Sequence, residues 1–158
     1  MMFWSAFPGN AILTFLLSMV PVLELRFAIP IGVAHGLEPW AAVALAVIGN
    51  LLPVPFIILF IRKIFSFLRR ISPKLDGFIM RLEQRAKKKS DTVLRWSFWG
   101  LFVLVAVPLP GTGAWTGALV AAMLDMRLKR AFPAIAMGVL AAGILVGLAT
   151  RGVISFVL

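Results

Sequence analysis

The apolar residues of this chain fall into four long uncharged runs, and that pattern limits the fold more than any other feature. Residues 39–61 form 23 consecutive uncharged positions and residues 131–150 form 20. Each is long enough to cross the hydrocarbon of a bilayer as one helix, with some tilt. Residues 1–23 and 96–124 are equally apolar but are interrupted by proline and glycine, at Pro8-Gly9 and Pro21 in the first and at "PLPGTGAWTG" (108–117) in the second. A mean hydropathy of +1.02 with 61% hydrophobic residues lies far above ordinary soluble domains, so the sequence predicts a small integral membrane protein. No Lys or Arg precedes the first run and no small-residue cleavage site follows it, so it reads as part of the mature chain rather than a signal peptide.

The charge is as informative as the hydropathy. Net charge is +10, and eleven of the sixteen basic residues lie between Arg62 and Arg95, with Arg127, Lys129 and Arg130 forming a second cluster. These clusters flank apolar runs, as the positive-inside rule requires, which favours a topology signal facing anionic lipid over a nucleic-acid site. Both clusters can be cytoplasmic only if residues 96–124 enter and leave the membrane on one side. The twelve residues before Pro108 reach about 18 Å as a helix, roughly mid-bilayer. A re-entrant hairpin turning at "PLPG" therefore fits better than a crossing. The same logic makes residues 1–37 a hairpin entering from the outer face.

The expected fold is all-α and integral to the cell membrane: an inverted repeat of a re-entrant hairpin plus a transmembrane helix, joined by a basic amphipathic linker. Its parts are hairpin 1 (1–37), helix 1 (38–62), the cytoplasmic linker (63–92), hairpin 2 (93–126) and helix 2 (127–151), in a single membrane domain. Weak echoes agree: "PIGVAHG" (30–36) resembles "PGTGAWTG" (110–117), and "AVALAVIGN" (42–50) resembles "AFPAIAMGV" (131–139). Inverted repeats with broken helices are common in secondary transporters.

In the linker, Ile64, Leu68, Ile71, Leu75, Phe78 and Leu82 recur at alternating spacings of four and three. They form one stripe of an amphipathic helix, placed in the headgroup plane or, alternatively, in a helical hairpin packed on a partner. "SP" at 72–73 should split it into two pieces, and "KKKSD" at 87–91 should form an exposed turn with Ser90 or Asp91 capping the next helix.

Few residues can carry chemistry. With no cysteine, one histidine and six carboxylates, metal clusters and thiol chemistry are nearly excluded, and no HExxH, GxSxG or Walker motif occurs. We expect neither an enzyme nor a cofactor. Glu24 and Arg26 in "VPVLELRFAIP" are the charges set deep in an apolar segment, where an ion is costly unless paired or hydrated. If the backbone between Pro21 and Pro30 is unwound, both can line one cavity; the bland alternative is a structural pair bracing the hairpin. In the second break the usable groups are the amides of Gly111, Thr112 and Gly113, the hydroxyls of Thr112 and Thr116, and the Trp115 indole. A helix starting near Gly113 would aim its positive end at the turn, a ready anion site. The glycines could equally be steric, letting two hairpins cross closely, above all at Gly117. Asn50 sits near the middle of a span, as interhelical glue or lining a pathway, beside Pro53 and Pro55, which should kink that span. His35 reads as an interfacial histidine, and Asp125 as a partner for Arg127 or Lys129.

"ELRFAIPIGVA" (24–34), "IGNLLPVP" (48–55) and "PLPGTGAWTG" (108–117) resemble the signatures of the small multidrug export protein family, a distant relative of the DedA/VTT-domain membrane proteins. Those proteins are similar in pairing each of two re-entrant hairpins with a transmembrane helix, and several are implicated in moving lipids. The resemblance implies a site where the hairpin tips meet, bringing together Glu24, Arg26, Pro30, Pro110, Thr112 and their neighbours. Three functions are carried forward. The first is translocation of an anionic-headgroup lipid or similar amphiphile, held by Arg26 and the 112–113 amides, with Glu24 carrying a coupling proton or bracing Arg26. The second is proton-coupled efflux of hydrophobic cations through Glu24, and the third a scaffold whose linker docks a partner. Expected partners are membrane lipids and a second copy of the chain, since two spans are few to enclose a pathway.

Overall fold

The computed structural model describes residues 3–96, 98–109 and 111–157. These form eight helices: α1 (Phe3–Met19), α2 (Glu24–Ala34), α3 (Pro39–Leu51), α4 (Val54–Ile71), α5 (Pro73–Trp96), α6 (Phe98–Ala106), α7 (Ala114–Met123) and α8 (Leu128–Val157). The described residues contain no strand.

Most boundaries follow from backbone chemistry. Helix α3 starts where the Glu38 carboxylate accepts the Ala41 N–H at 2.8 Å, with Pro39 preset in the first helical turn. It stops at Pro53, which cannot donate to the carbonyl four residues back, and α4 resumes at Val54. Ser72 ends α4 in an extended conformation and Pro73 opens α5, so the linker does divide at "SP".

Two expectations about breaks do not hold. Helix α1 runs through Pro8 without interruption, because a proline so near the N-terminus forfeits only one hydrogen bond of the helix. Helix α5 runs through "KKKSD" to Trp96. After Gly77 it contains neither glycine nor proline, and its Lys, Arg, Gln, Glu and Leu residues are strong helix formers.

Among the described residues two stretches are long and apolar enough to cross a membrane, Pro39–Ile71, with turn residues at 52–53, and Leu128–Val153. Only 39% and 44% of their most apolar windows are buried inside the protein, whereas the core helix of a soluble protein would be mostly covered. The uncovered side is apolar: Phe56, Leu59 and Phe60 on α4 and Leu140, Ile144, Leu145 and Leu148 on α8 are all exposed. That is the inverse of a soluble surface. Inside, the helices meet through small residues, with Ala28, Ala42, Ala46, Ala118, Ala121, Ala131 and Ala134 fully buried. This lets backbones approach as they do in membrane bundles.

The order of helix, break, helix, tight turn and a long apolar helical stretch occurs twice, in α1, α2 and α3–α4 and again in α6, α7 and α8. In each, a glycine of the long helix lies against the first helix. Gly49 faces the Phe15 carbonyl and the Ser18 hydroxyl, and Gly138 faces the Phe102 carbonyl and Val105. The span echo quoted above keeps this pairing. The glycine echo does not, because Gly32 and Gly36 lie at the end of α2 and in the turn after it, whereas Gly113 and Gly117 open α7.

Among the described residues of the linker, Phe65 and Ile79 are the buried apolar ones, while Ile64, Ile71 and Phe78 of the expected stripe are exposed. Leu68 and Leu82 are half-buried, and the Leu75 side chain lies outside the described residues. Arg69 joins α4 to α5 through Asp76 at 3.1 Å and through Glu83. Asp125 pairs with Arg62 of α4, not with Arg127 or Lys129. It adopts a left-handed backbone at φ 53°, in the tight turn between α7 and α8.

Candidate functional site

One break, residues 20–23, separates α1 from α2, and a second, described at 107–109 and 111–113, separates α6 from α7. The first turn of α2 bridges to the second break and to α7 through Arg26–Thr112 and Glu24–Trp115. Most of the described break residues are exposed, while Glu24 and Gly113 are buried. Unwinding is confined to positions before Glu24. Helix α2 begins there and includes Pro30, so the backbone from Pro21 to Pro30 is not unwound throughout as expected. The first break turns because Pro21 has no N–H to extend α1 and Glu24 takes a left-handed backbone at φ 48°.

Glu24 is 5% exposed, and its Oε1 accepts the Trp115 backbone N–H at 3.2 Å. Trp115 is the second residue of α7, so a carboxylate sits on the N-terminal amides of that helix, where the aligned peptide dipoles favour negative charge. Gly113 makes this approach feasible. Its φ of 141° suits glycine alone, and a Cβ there would lie 1.9 Å from Glu24 Oε2. The Trp115 indole in turn donates Nε1–H to the Met19 carbonyl at 3.0 Å, tying the end of α1 to the start of α7.

Arg26 serves the other side of the same break. Its guanidinium donates to the carbonyls of Val107 (3.2 Å) and Leu109 and to Thr112 Oγ1 (2.8 Å). Thr112 Oγ1 lies 2.7 Å and 2.8 Å from those same two carbonyls and can donate to one of them at a time. Here α6 ends at its negative pole, so a cation is matched to the end of one helix as Glu24 is matched to the start of the next. Glu24 and Arg26 form no salt bridge with each other; each is held by the second break.

Five of the sequence-derived residues therefore converge: Glu24, Arg26, Thr112, Gly113 and Trp115. Gly111 and Thr116 belong to the same turn, where the Thr116 hydroxyl donates to the Gly111 carbonyl at 3.2 Å. Pro30 lies one and a half turns along α2, half-buried and outside the cluster. Asn50 is fully buried in α3 and forms no hydrogen bond with the cluster. Pro110 lies outside the described residues. His35 is exposed at the far end of α2, its Nδ1 2.8 Å from the Ile31 carbonyl. Sequence inspection missed the carbonyls of Met19, Val107 and Leu109, because a backbone acceptor carries no residue signature. It also missed Thr14 and Ser18, both fully buried on α1. Their spacing of four, on one helix face, was the available signal.

Among the described residues no group of three metal-ligating side chains exists. The arrangement is instead one of helix-end contacts: a buried acid on a helix N-terminus and a guanidinium on unwound carbonyls, in a helical body whose longest apolar stretches are apolar outward. These features define a membrane-type helical protein with a polar centre built from discontinuous helices. Comparison with family profiles agrees and is more specific. The chain belongs to the family described as "Putative small multi-drug export protein", whose profile matches residues 24–145. That range begins at Glu24 and includes both breaks' contact residues from Glu24 onward. No curated protein and no solved structure matched the chain.

Proposed function

We propose that this protein is a membrane transporter in which an anionic headgroup and the Glu24 carboxylate compete for the N-terminus of α7. The observation that carries the proposal is the Trp115 N–H to Glu24 Oε1 contact, made across the two breaks at a glycine that tolerates no side chain. An acid at a helix N-terminus contributes about 0.3–2 kcal/mol. Such a contact holds one state without locking it, since 1.4 kcal/mol is a tenfold change in occupancy. Protonation of Glu24 removes its charge from the helix end and leaves those amides to a phosphate- or carboxylate-bearing amphiphile. Arg26 holds the neighbouring carbonyls throughout and keeps the turn open to a headgroup. In this scheme the anion and the proton enter the site together.

The scheme takes residues 1–37 and 93–126 as re-entrant hairpins of opposite orientation, each followed by a crossing helix, with the basic linker cytoplasmic. The recurring element order and the distribution of charge support it. Two crossing helices are few to enclose a pathway, so a homodimer is the working unit.

The test is reconstitution into liposomes with a labelled anionic lipid, following its passage between leaflets across an imposed pH gradient. Wild type should move the lipid at a rate set by the gradient, and Glu24→Gln should remove that dependence. Equal rates and equal gradient dependence in the two proteins would overturn the assignment. A second reading, proton-coupled efflux of hydrophobic cations, is favoured by the family description and by Arg26 donating to the Val107 and Leu109 carbonyls, which occupies its positive charge with backbone. It predicts resistance to cationic dyes on expression, lost in Glu24→Gln, with no movement of anionic lipid.

A further inference from the structure

Helix α4 changes character along one exposed face. Phe56, Leu59 and Phe60 are uncovered apolar residues, and Lys63, Ser66 and Arg70 follow them, uncovered and polar. The rows 56–60–63–67 and 59–63–66–70 each advance by four, three and four residues, so these side chains share one side of the helix. Arg62 is the first charge after 23 uncharged positions, which sets the change where the apolar stretch leaves hydrocarbon for headgroups.

Arg62, Lys63, Ser66, Phe67 and Arg70 line an open groove of about 390 Å³ on this face. A second groove of about 470 Å³ adjoins it, sharing Arg62, Ser66 and Arg70 and reaching Glu83 of α5 and Met123 of α7. The cations around the two grooves are not equally engaged. Arg62 pairs with Asp125, and Arg69 pairs with both Asp76 and Glu83. Lys63 and Arg70 have no acidic partner among the described residues. They lie two turns apart, about 10 Å along the axis, with the Ser66 hydroxyl between them. Long flexible side chains at that separation can converge on one anion above the serine.

We infer that this face of α4 is a binding site for one anionic phospholipid, its phosphate on Lys63, Ser66 and Arg70 and its acyl chains along Phe56, Leu59 and Phe60. Two cations without an acid between them attract a headgroup of net negative charge and repel the ammonium of a zwitterionic one. Basic pockets beside the ends of membrane helices recognise lipid headgroups in this way. A free phosphate matches the polar half of the face, and only a lipid matches both halves at once. The site lies on the outer side of α4, apart from the α7 N-terminus. It requires that α4 lie in a membrane, and it does not depend on what the α7 N-terminus transports.

The experiment places the full chain in phosphatidylcholine nanodiscs containing a minor fraction of phosphatidylglycerol with a photoactivatable acyl chain, and locates labelled residues by mass spectrometry. Wild type should be labelled within residues 56–67, saturably in the mole fraction of the probe. The same acyl probe on a phosphatidylcholine headgroup should label there weakly and without saturation. Lys63→Gln combined with Arg70→Gln should raise the half-saturating mole fraction roughly thirtyfold, about fivefold for each cation removed near an anionic headgroup. Lys129→Gln combined with Arg130→Gln removes as much charge from the other basic cluster and should leave half-saturation unchanged. Equal labelling by the two headgroups, an unchanged half-saturation in the Lys63 and Arg70 variant, or an equal loss in both double variants would overturn the inference. Inorganic phosphate separates a lipid from a free anion: labelling should persist in its presence, and displacement would overturn the assignment to a lipid. Should the Lys63 and Arg70 variant not fold, the comparison of the two headgroups on wild type decides.

Discussion

At the residue scale, the "ELR" triplet is divided between two helix ends. Residues two apart on a helix point in different directions, and here Glu24 reaches the start of α7 while Arg26 reaches the end of α6. The two charges are matched to dipoles rather than to each other, which a sequence containing both signs in one short stretch does not announce. Gly113 is the residue on which this depends. Gly113→Ala should lower stability by about 1–3 kcal/mol, because the new methyl meets the Glu24 carboxylate and φ 141° strains any L-residue. Thermal unfolding in detergent measures it, and an unchanged midpoint would contradict the contact. Arg26→Lys keeps the charge but cannot span Val107, Leu109 and Thr112 together. It should cost about 1–3 kcal/mol, close to the loss in Arg26→Met, if geometry rather than charge is what the break requires.

At the element scale, helix breaks were legible wherever proline coincided with a change in local pattern. Pro21, Pro53, Pro73 and Pro108 each adjoin a helix boundary. Pro8, Pro30 and Pro133 lie inside helices, each within the first two turns, where one hydrogen bond is forfeited and the helix continues. The run "KKKSD" misled because a cluster of charge resembles a turn, yet nothing in it stops a helix. Close helix crossings were less legible, since a glycine's neighbours belong to distant sequence. Gly49→Val should destabilise by roughly 1–3 kcal/mol, because the Phe15 backbone must move. Gly77→Ala, on α5 with nothing within 4 Å of the new carbon, should be neutral or stabilise by about 0.5–1 kcal/mol. Comparable effects at the two positions in unfolding experiments would argue against the α1–α3 contact.

At the scale of the whole molecule, the proposed topology makes a sharp prediction. Cysteines placed singly at Lys88 and at Lys129, in a chain that has none of its own, should react with a membrane-impermeant maleimide from the same side. A cysteine at Glu38 should react from the other. Labelling of positions 88 and 129 from opposite sides would mean that residues 96–124 cross the membrane, and the re-entrant arrangement would be lost.

What the sequence by itself determined is the helical class, the two long apolar helices, the divided linker and the short roster of polar groups in the apolar segments. These follow from local rules: hydropathy over a helix length, proline's missing N–H, and the rarity of charge in apolar runs. What only the tertiary structure decided is which of those groups meet. Glu24 and Trp115 are 91 positions apart, and Arg26 and Thr112 are 86. Their pairing depends on how the two halves cross through alanine-lined and glycine-lined contacts, and no local pattern encodes that crossing. Nor could sequence separate Asn50 from ordinary interhelical glue, because its distinguishing property is the lack of a hydrogen-bond partner among the described residues, which shows only once its neighbours have been placed.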